Sequence, residues 1–156
     1  MKELNSAKLV RDRVTISCII NRGGDKKVLL RPIFDTGAMY TLVRANRLGR
    51  NLNKSDLNIL DKRVITGFAK DRPFEIYKVE VLQLTVSNIS LENKYIWVTF
   101  DDLVSDDVIG FDILKDLNFF YNNLDSTIHI FKTFKDMQDY MIDDANIKNL
   151  AAGIRV

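Results

Sequence analysis

The sequence predicts a mainly β protein of one domain, with a helix near its C-terminal end. Many short runs rich in Val, Ile and Leu are separated by closely spaced turns, and no long helical pattern alternates with them. Over residues 133–150 the hydrophobic period changes from two to 3.6. Short strands with close turns favour a closed or folded-over β-barrel rather than a parallel α/β sheet.

The predicted elements follow one another with clear turn signals. Residues 14–21 and 26–34 are apolar runs on either side of Arg22-Gly23-Gly24-Asp25, which indicates a β-hairpin. Residues 44–49 are compatible with one or two helical turns. Further strands are predicted at residues 62–69, 73–86, 91–100, 108–110, 118–121 and 127–132, with one short internal helix at residues 111–117.

The last segment is predicted to be an amphipathic helix. Thr133 followed by Asp136 resembles a capping box with Asp in place of Glu. One helical face then carries Phe134, Met137, Met141 and Ala145, and it is extended by Tyr140, Ile147 and Ala151. Because an isolated helix of this length is marginal in water, we expect this face to pack on the domain or on a dimer partner. The predicted organisation is therefore a domain over residues 1–132 and a helical extension over residues 133–156.

Charge and hydropathy exclude several kinds of partner. Lysine and arginine total 23 against 21 acidic residues, a net charge of +2 in 156 residues. Nucleic acid is therefore not expected as the main partner, since phosphate binding depends on clustered positive charge. The first residues lack the apolar core of a secretory signal, and the longest uncharged run, residues 81–91, is too short to span a bilayer. We expect a cytoplasmic protein with no membrane partner.

The chemistry available to the chain is limited by its single cysteine and single histidine. Cys18 lies in a strand-like run, which favours an inert core thiol. His129 alternates with Ile128 and Ile130, which favours a surface position on a strand. No zinc motif, calcium loop or phosphate-binding loop is present, so no metal and no cofactor are expected. The acidic pairs at residues 101–102 and 106–107 are interpreted as solvated loop.

Three motifs then occur in order along the chain. The segment IFDTGAMYT, residues 33–41, places Asp35 at the end of an apolar strand, in a turn kept small by Thr36, Gly37 and Ala38. About thirty residues later a predicted hairpin contains VITGFAK followed by PFEIY. The third motif, VIGFDIL, has two apolar residues and a glycine before a short helix.

Together the motifs resemble those of the retropepsin-like aspartic proteases, single-domain relatives of pepsin that include the retroviral proteases. The resemblance covers about residues 14–132 and implies a retropepsin-like closed β-barrel. It implies that Asp35 is the catalytic residue, that Thr36 hydrogen-bonds across a dimer axis, and that Gly37 donates its N–H to the carboxylate. Ala38 would complete the catalytic loop.

The resemblance also implies a flap over residues 64–77, a hairpin that closes over substrate and excludes water. Gly67 would lie at its bend. Ile65 and Phe68 are candidate walls of the substrate pocket, although either could be core instead. Two departures from the family stand out: Met39 replaces an acidic or serine residue, and Phe111 replaces an arginine that ties retroviral dimers together.

The chemistry of this family needs two carboxylates that share one proton. Since this chain has a single Asp-Thr-Gly, the resemblance implies an aspartic endopeptidase that acts as a homodimer on extended, largely apolar peptide segments. Two alternatives stay open. The chain could be a non-catalytic dimeric binding or scaffold module on the same fold. It could also be a monomer that supplies half a site to a different partner.

Overall fold

The computed structural model describes residues 6–10, 13–67, 72–122 and 127–151, and the structural statements below concern these residues. Its strands are β1 (Ser6–Val10), β2 (Arg13–Val14), β3 (Cys18–Asn21), β4 (Lys27–Leu30), β5 (Ile33–Phe34), β6 (Leu42–Arg44), β7 (Ile59–Ile65), β8 (Phe74–Val86), β9 (Ile89–Thr99), β10 (Val108–Ile109), β11 (Asn118–Asn122) and β12 (Thr127–Phe131). The prediction of a mainly β protein is confirmed.

The strands form two sheets. The larger has the order β4-β3-β8-β9-β6-β10-β5, with β7 paired to β8 outside this path, and the smaller has the order β11-β12-β1-β2. The long β8–β9 hairpin forms the centre of the larger sheet. β10 pairs in parallel with β5 and antiparallel with β6, so it lies between the strands that precede and follow residues 35–41.

The predicted closed barrel is wrong, because the large sheet curls into an open half-barrel. Its two end strands, β4 and β5, do not pair with each other in the described part of the chain. Closure requires consecutive strands that keep hydrogen-bonding around the whole circumference. β5 is only two residues long before the chain turns at Asp35, so it offers little edge for such pairing.

The described chain contains two short internal α-helices, not the one predicted. They are α1 (Ala45–Leu48) and α2 (Phe111–Leu114). A 3₁₀ turn at Lys54–Asp56 lies between α1 and β7. Ala45 and Leu48 of α1 are buried, which explains why a segment of only one turn is helical: packing stabilises it, not its length. No helix among the described residues is long and apolar enough to cross a membrane.

The C-terminal helix, α3 (Phe134–Ala151), is present and begins as predicted. The backbone N–H of Asp136 donates to the Thr133 hydroxyl at 3.1 Å. Two residues of the expected packing face are exposed within this chain, Phe134 by 57% and Met141 by 47%, so their packing on a dimer partner stays a prediction. Tyr140, which extends that face, packs on an aromatic cluster of the smaller sheet.

The aromatic cluster explains why His129 is buried, although the sequence predicted a surface position. The Tyr140 ring lies 5.1 Å from the His129 ring, 5.4 Å from Phe131 and 5.8 Å from Phe120. His129 stacks on Phe120 at 5.0 Å, and its Nε2 is 2.8 Å from the Thr127 hydroxyl. Alternation of apolar and polar residues predicts a solvent-exposed face only for a sheet that is covered on one side. Here α3 covers the second face.

The main core lies between the curled sheet, α1 and α2. Its fully buried side chains include Ile16, Ile20, Val43, Val81, Leu84, Val86, Ile96, Ile109, Leu114 and Ile130. Cys18 belongs to this core, as predicted. A second apolar cluster consists of Leu42, Phe74, Ile76, Trp97 and Val104, with Tyr40 and Ile65 packed against it. This second cluster supports the outer end of the β7–β8 hairpin, where Ile65 pairs with Phe74.

Candidate active site

The segment from Asp35 to Ala38 is held by backbone hydrogen bonds from both ends. The N–H of Asp35 donates to the carbonyl of Ile109 at 3.0 Å, and the N–H of Phe111 donates to the carbonyl of Ala38 at 2.8 Å. The N–H of Ala38 also donates to the carbonyl of Asp35 at 3.2 Å, which closes the turn. The loop is therefore fixed by the strand β10 and the first residue of α2.

The carboxylate of Asp35 points out of this loop and is accessible to solvent. The N–H of Gly37 donates to its Oδ1 at 2.9 Å, the contact that the resemblance implied. Asp35, Thr36 and Gly37 are exposed, whereas Ala38 is buried at 8% exposure. A backbone donor at this distance fixes the orientation of the carboxylate.

Gly110 passes very close to the backbone of residues 38–40. A Cβ at Gly110 would lie 2.6 Å from the carbonyl oxygen of Tyr40 and 2.8 Å from that of Ala38. Its N–H donates to the buried Thr41 hydroxyl at 3.0 Å. The sequence motif VIGFDIL therefore needs its glycine for close approach of two chain segments.

Asp112 is a supporting residue that the sequence analysis missed. Its carboxylate accepts hydrogen bonds from both the backbone N–H and the hydroxyl of Thr41. Both residues of this contact lie in the sequence motifs, since Asp112 belongs to the third motif and Thr41 ends the first. The resemblance points to the arginine that is absent at Phe111, and it assigns no role to the neighbouring carboxylate of Asp112.

Asp107 is a second missed residue, and it corrects the interpretation of residues 106–107 as solvated loop. Asp107 is 5% exposed. Its Oδ1 accepts from the backbone N–H of Arg44 at 2.9 Å and from its Nε at 3.1 Å, and Arg47 Nε is 3.5 Å from Oδ2. Its own carbonyl accepts from Ile33 at 2.9 Å. This ion pair fixes the start of β10 relative to β6.

Residues 64–77, predicted to be the flap, form the outer part of the β7–β8 hairpin, apart from residues 68–71, which are not described. Ile65 pairs with Phe74 at its outer end, and Gly67 has a φ of +106°, a conformation that glycine adopts readily. Phe68 lies outside the described residues. On the solvent side, Lys62 contacts Glu75 at 2.9 Å. The pKa of Glu75 is lowered by a hydrogen bond from the Tyr77 hydroxyl and then by Lys62.

A cleft of about 960 Å³ separates the catalytic loop from this hairpin. Asp35, Gly37 and Ala38 line one side, and Ile65 and Gly67 line the other. Ile65 also packs on the second apolar cluster, so it is both cleft wall and core. Thr36 borders a different groove. The remaining cleft residues are Val14, Ile33, Phe34, Met39, Tyr40, Val64, Thr66, Val104, Ser105, Asp106 and Val108.

The cleft combines apolar side chains with two carboxylates and other polar groups. Its walls are mainly aliphatic and aromatic side chains, and the charged residues among them are Asp35 and Asp106. Nowhere in the described ranges do three or more His, Cys, Asp or Glu side chains form a group that could hold a metal ion.

Comparison with solved structures identifies the architecture. The chain is similar to a retropepsin-like aspartic protease from Rickettsia conorii, with a TM-score of 0.57 over 81% of this chain and 96% of that chain. The fold is retropepsin-like. Sequence identity to that structure is 16%, so the similarity concerns the fold alone. No protein-family model and no curated protein sequence matches the chain.

Proposed function

We propose that this protein is an aspartic endopeptidase that hydrolyses peptide bonds in extended, largely apolar segments. The observation that carries the proposal is the position of Asp35. Its carboxylate is accessible, oriented by the Gly37 N–H at 2.9 Å, and lies on the floor of an apolar cleft beneath a β-hairpin. The retropepsin-like fold of the chain supports the same chemistry.

The reaction needs a second carboxylate, and a second copy of the chain would supply it. Two Asp35 carboxylates held a few ångströms apart cannot both ionise, so they share one proton. The ionised carboxylate takes a proton from water, which attacks the peptide carbonyl. The protonated one stabilises the developing charge on the carbonyl oxygen and supplies the proton to the leaving nitrogen. In this arrangement Thr36 would hydrogen-bond across the two-fold axis.

The surface next to Asp35 is suited to a second copy. A second groove, of about 510 Å³, borders Asp35 and Thr36. Its other walls are Phe34, Phe119, Phe120, Tyr121 and Ile128. β11, which carries the three adjacent aromatic residues, is the end strand of the smaller sheet in the described part of the chain. An apolar groove beside an unpaired strand edge is a good surface for association.

The hairpin and the apolar walls indicate the class of substrate. An extended peptide would lie between the catalytic loop and the flap, with its side chains directed alternately at the two walls. Ile65 and Gly67 would contact it from above, and Phe68 is proposed as a further contact. We assign residues 1–132 to the protease domain and residues 133–156 to the helical extension.

Peptide cleavage by the Asp35→Asn variant tests the assignment. The amide is nearly isosteric but cannot act as a base, so cleavage of a mixed peptide library should fall by on the order of 10²-fold or more. Asp25→Asn, in the exposed β3–β4 turn, is the matched control and should cleave normally. Near-normal cleavage by Asp35→Asn would reject Asp35 as the catalytic residue.

Two further measurements separate the alternatives. Specific activity should fall on dilution below the dimer dissociation constant, because a single chain carries half a site. Constant activity in the monomeric range would reject the shared site. If neither the wild type nor the variant cleaves any peptide, yet both bind a statine-containing peptide, the chain is a binding module on this fold.

A further inference from the structure

A cation and two aromatic rings join the flap to the catalytic loop. The Nη1 of Arg63, in β7, donates to the hydroxyl of Tyr40 at 2.8 Å. The same guanidinium lies 5.8 Å from the centre of the Tyr40 ring and 5.3 Å from that of Trp97. The two rings meet edge to face at 5.2 Å. We call Arg63, Tyr40 and Trp97 the aromatic clamp.

The two rings belong to the fixed side of the cleft. Tyr40 lines the cleft and directly precedes Thr41, whose N–H and hydroxyl are held by Asp112. The backbone N–H of Trp97 donates to the Thr41 carbonyl at 2.9 Å, and the Trp97 side chain is 6% exposed. The clamp therefore rests on the same backbone that holds the catalytic loop.

Arg63 is the contribution of β7, the strand that leads into the predicted flap, to the clamp. Residues 63 and 65 lie on the same face of β7, since successive side chains of a strand alternate. Ile65 packs on the apolar cluster that contains Trp97, so both side chains fix the same strand face to the same support. Lys62 lies on the opposite face and pairs with Glu75 of the neighbouring flap strand. Lys62 thus links the two strands of the β7–β8 hairpin to each other, whereas Arg63 links the hairpin to Tyr40, which follows the Asp35 loop.

The chemistry of arginine suits this place. The side chain of Arg63 is 52% exposed, and besides the two rings it contacts the Asp61 carboxylate, with Nε 3.6 Å from Oδ2. A planar guanidinium can stack on aromatic rings and donate a hydrogen bond in its own plane at the same time. The hydrogen bond to Tyr40 also raises the pKa of the Arg63 guanidinium above its ordinary value.

We propose that Arg63 is a positioning residue that holds the flap strand against the catalytic loop through Tyr40 and Trp97, and thereby sets the affinity for peptide. The proposal rests on the proposed function for its peptide readout. When the contact of Arg63 with the two rings is lost, a smaller fraction of the molecules has the flap in its binding-competent position. The apparent affinity for peptide falls in proportion to that fraction. The chemical step at Asp35 keeps its geometry, because Arg63 does not contact the carboxylate-bearing turn.

The kinetic test uses Arg63→Met, with Lys62→Met as a control that removes a cation from the adjacent position. Arg63→Met should raise KM about fivefold to tenfold and change kcat less than twofold, from the loss of two partly exposed cation–π contacts and one hydrogen bond. Lys62→Met should change KM less than twofold, because it removes an exposed ion pair. An unchanged KM in Arg63→Met, or an equal change in Lys62→Met, would overturn the proposal.

Tyr40→Phe isolates the hydrogen bond, because it removes the hydroxyl and keeps the ring. Its effect on KM should not add to that of Arg63→Met, since both act through one contact. Additive effects would show that Arg63 acts elsewhere. Arg63→Lys should recover part of the affinity, because an ammonium can still lie over the rings. A merely structural role would move the thermal midpoint in all variants without this pattern in KM.

A readout without substrate keeps this proposal distinct from the proposed function. Amide exchange in β7 should become about tenfold faster in Arg63→Met than in the wild type, and should not change in Lys62→Met. Trp97 is the single tryptophan of the chain, so its fluorescence reports the loss of the guanidinium directly. If no peptidase activity is found but amide exchange changes as expected, the proposed function is rejected and the clamp is retained. Unchanged exchange in Arg63→Met would reject the clamp whatever the activity.

Discussion

The Asp112 carboxylate accepts hydrogen bonds from two groups of Thr41, its backbone N–H and its hydroxyl, although the two residues are 71 positions apart in the sequence. The Thr41 N–H is 2.9 Å from Asp112 Oδ1, and the Thr41 hydroxyl donates to the same oxygen at 2.7 Å. That hydroxyl in turn accepts from the Gly110 N–H at 3.0 Å. This chain of hydrogen bonds joins the end of the catalytic segment to the start of α2, so the shape of the loop depends on it.

Removing the Asp112 carboxylate should destabilise the protein. Asp112→Ala leaves the buried Thr41 hydroxyl and N–H without their acceptor, and we expect a loss of about 3 kcal/mol in the free energy of unfolding. Urea denaturation measures this. The control is Asp116→Ala, which removes an exposed ion pair with Lys94 and should cost about 1 kcal/mol or less. Equal losses in the two variants would contradict the role assigned to Asp112.

Gly110→Ala should disturb the catalytic loop from below. The added Cβ would lie within 2.8 Å of two backbone carbonyl oxygens, so the chain must shift, at a cost of about 2–3 kcal/mol or more. Gly49→Ala is the matched control, since its Cβ would meet only the Leu52 side chain, at 3.7 Å. Thermal unfolding compares them. Equal midpoints for the two variants would show that the segments are not in close contact.

Cys18 should be inert in the folded protein. Burial, with a smaller contribution from Asp107, raises the pKa of its thiol from 9.0 to about 12. Native protein should therefore not react with a thiol reagent at pH 8, whereas protein unfolded in urea should react fully. Fast reaction under native conditions would contradict the burial.

The same pKa shift predicts a loss of stability at alkaline pH. Above pH 9.0 the unfolded chain loses the thiol proton while the folded chain keeps it, so stability falls as pH rises from 9.0 towards about 12. The slope from this one group is at most about 1.4 kcal/mol per pH unit. Cys18→Val, which cannot ionise, should lack this component when urea unfolding is compared at pH 8 and pH 10. Identical slopes in the two proteins would contradict it.

Tyr140 should account for much of the attachment of α3. Tyr140→Ala removes ring contacts with Phe120, His129 and Phe131, and should lower the free energy of unfolding by about 2 kcal/mol. Phe134→Ala, at a side chain that is 57% exposed, should change it by about 0.5 kcal/mol or less. A large loss for Phe134→Ala that grows with protein concentration would instead place this residue against a second copy.

The sequence by itself determined the features that depend on neighbouring residues. Period-two runs marked most strands, the Thr133–Asp136 pattern marked the start of α3, and a strand-like apolar run placed Cys18 in the core. The position of Asp35 in a small turn after an apolar strand was also readable, because turn chemistry and strand ends are local properties of the chain.

Tertiary structure alone decided the features that depend on distant residues. His129 is buried because α3 covers a sheet face that alternation would leave in water, and Asp107 is buried because Arg44, 63 residues away, neutralises it. The Asp112–Thr41 bonds and the Arg63–Tyr40 contact likewise join segments that no local pattern relates. The sheet stays open for the same reason, since closure depends on whether its end strands meet in space, and hydrophobic periodicity carries no information on that.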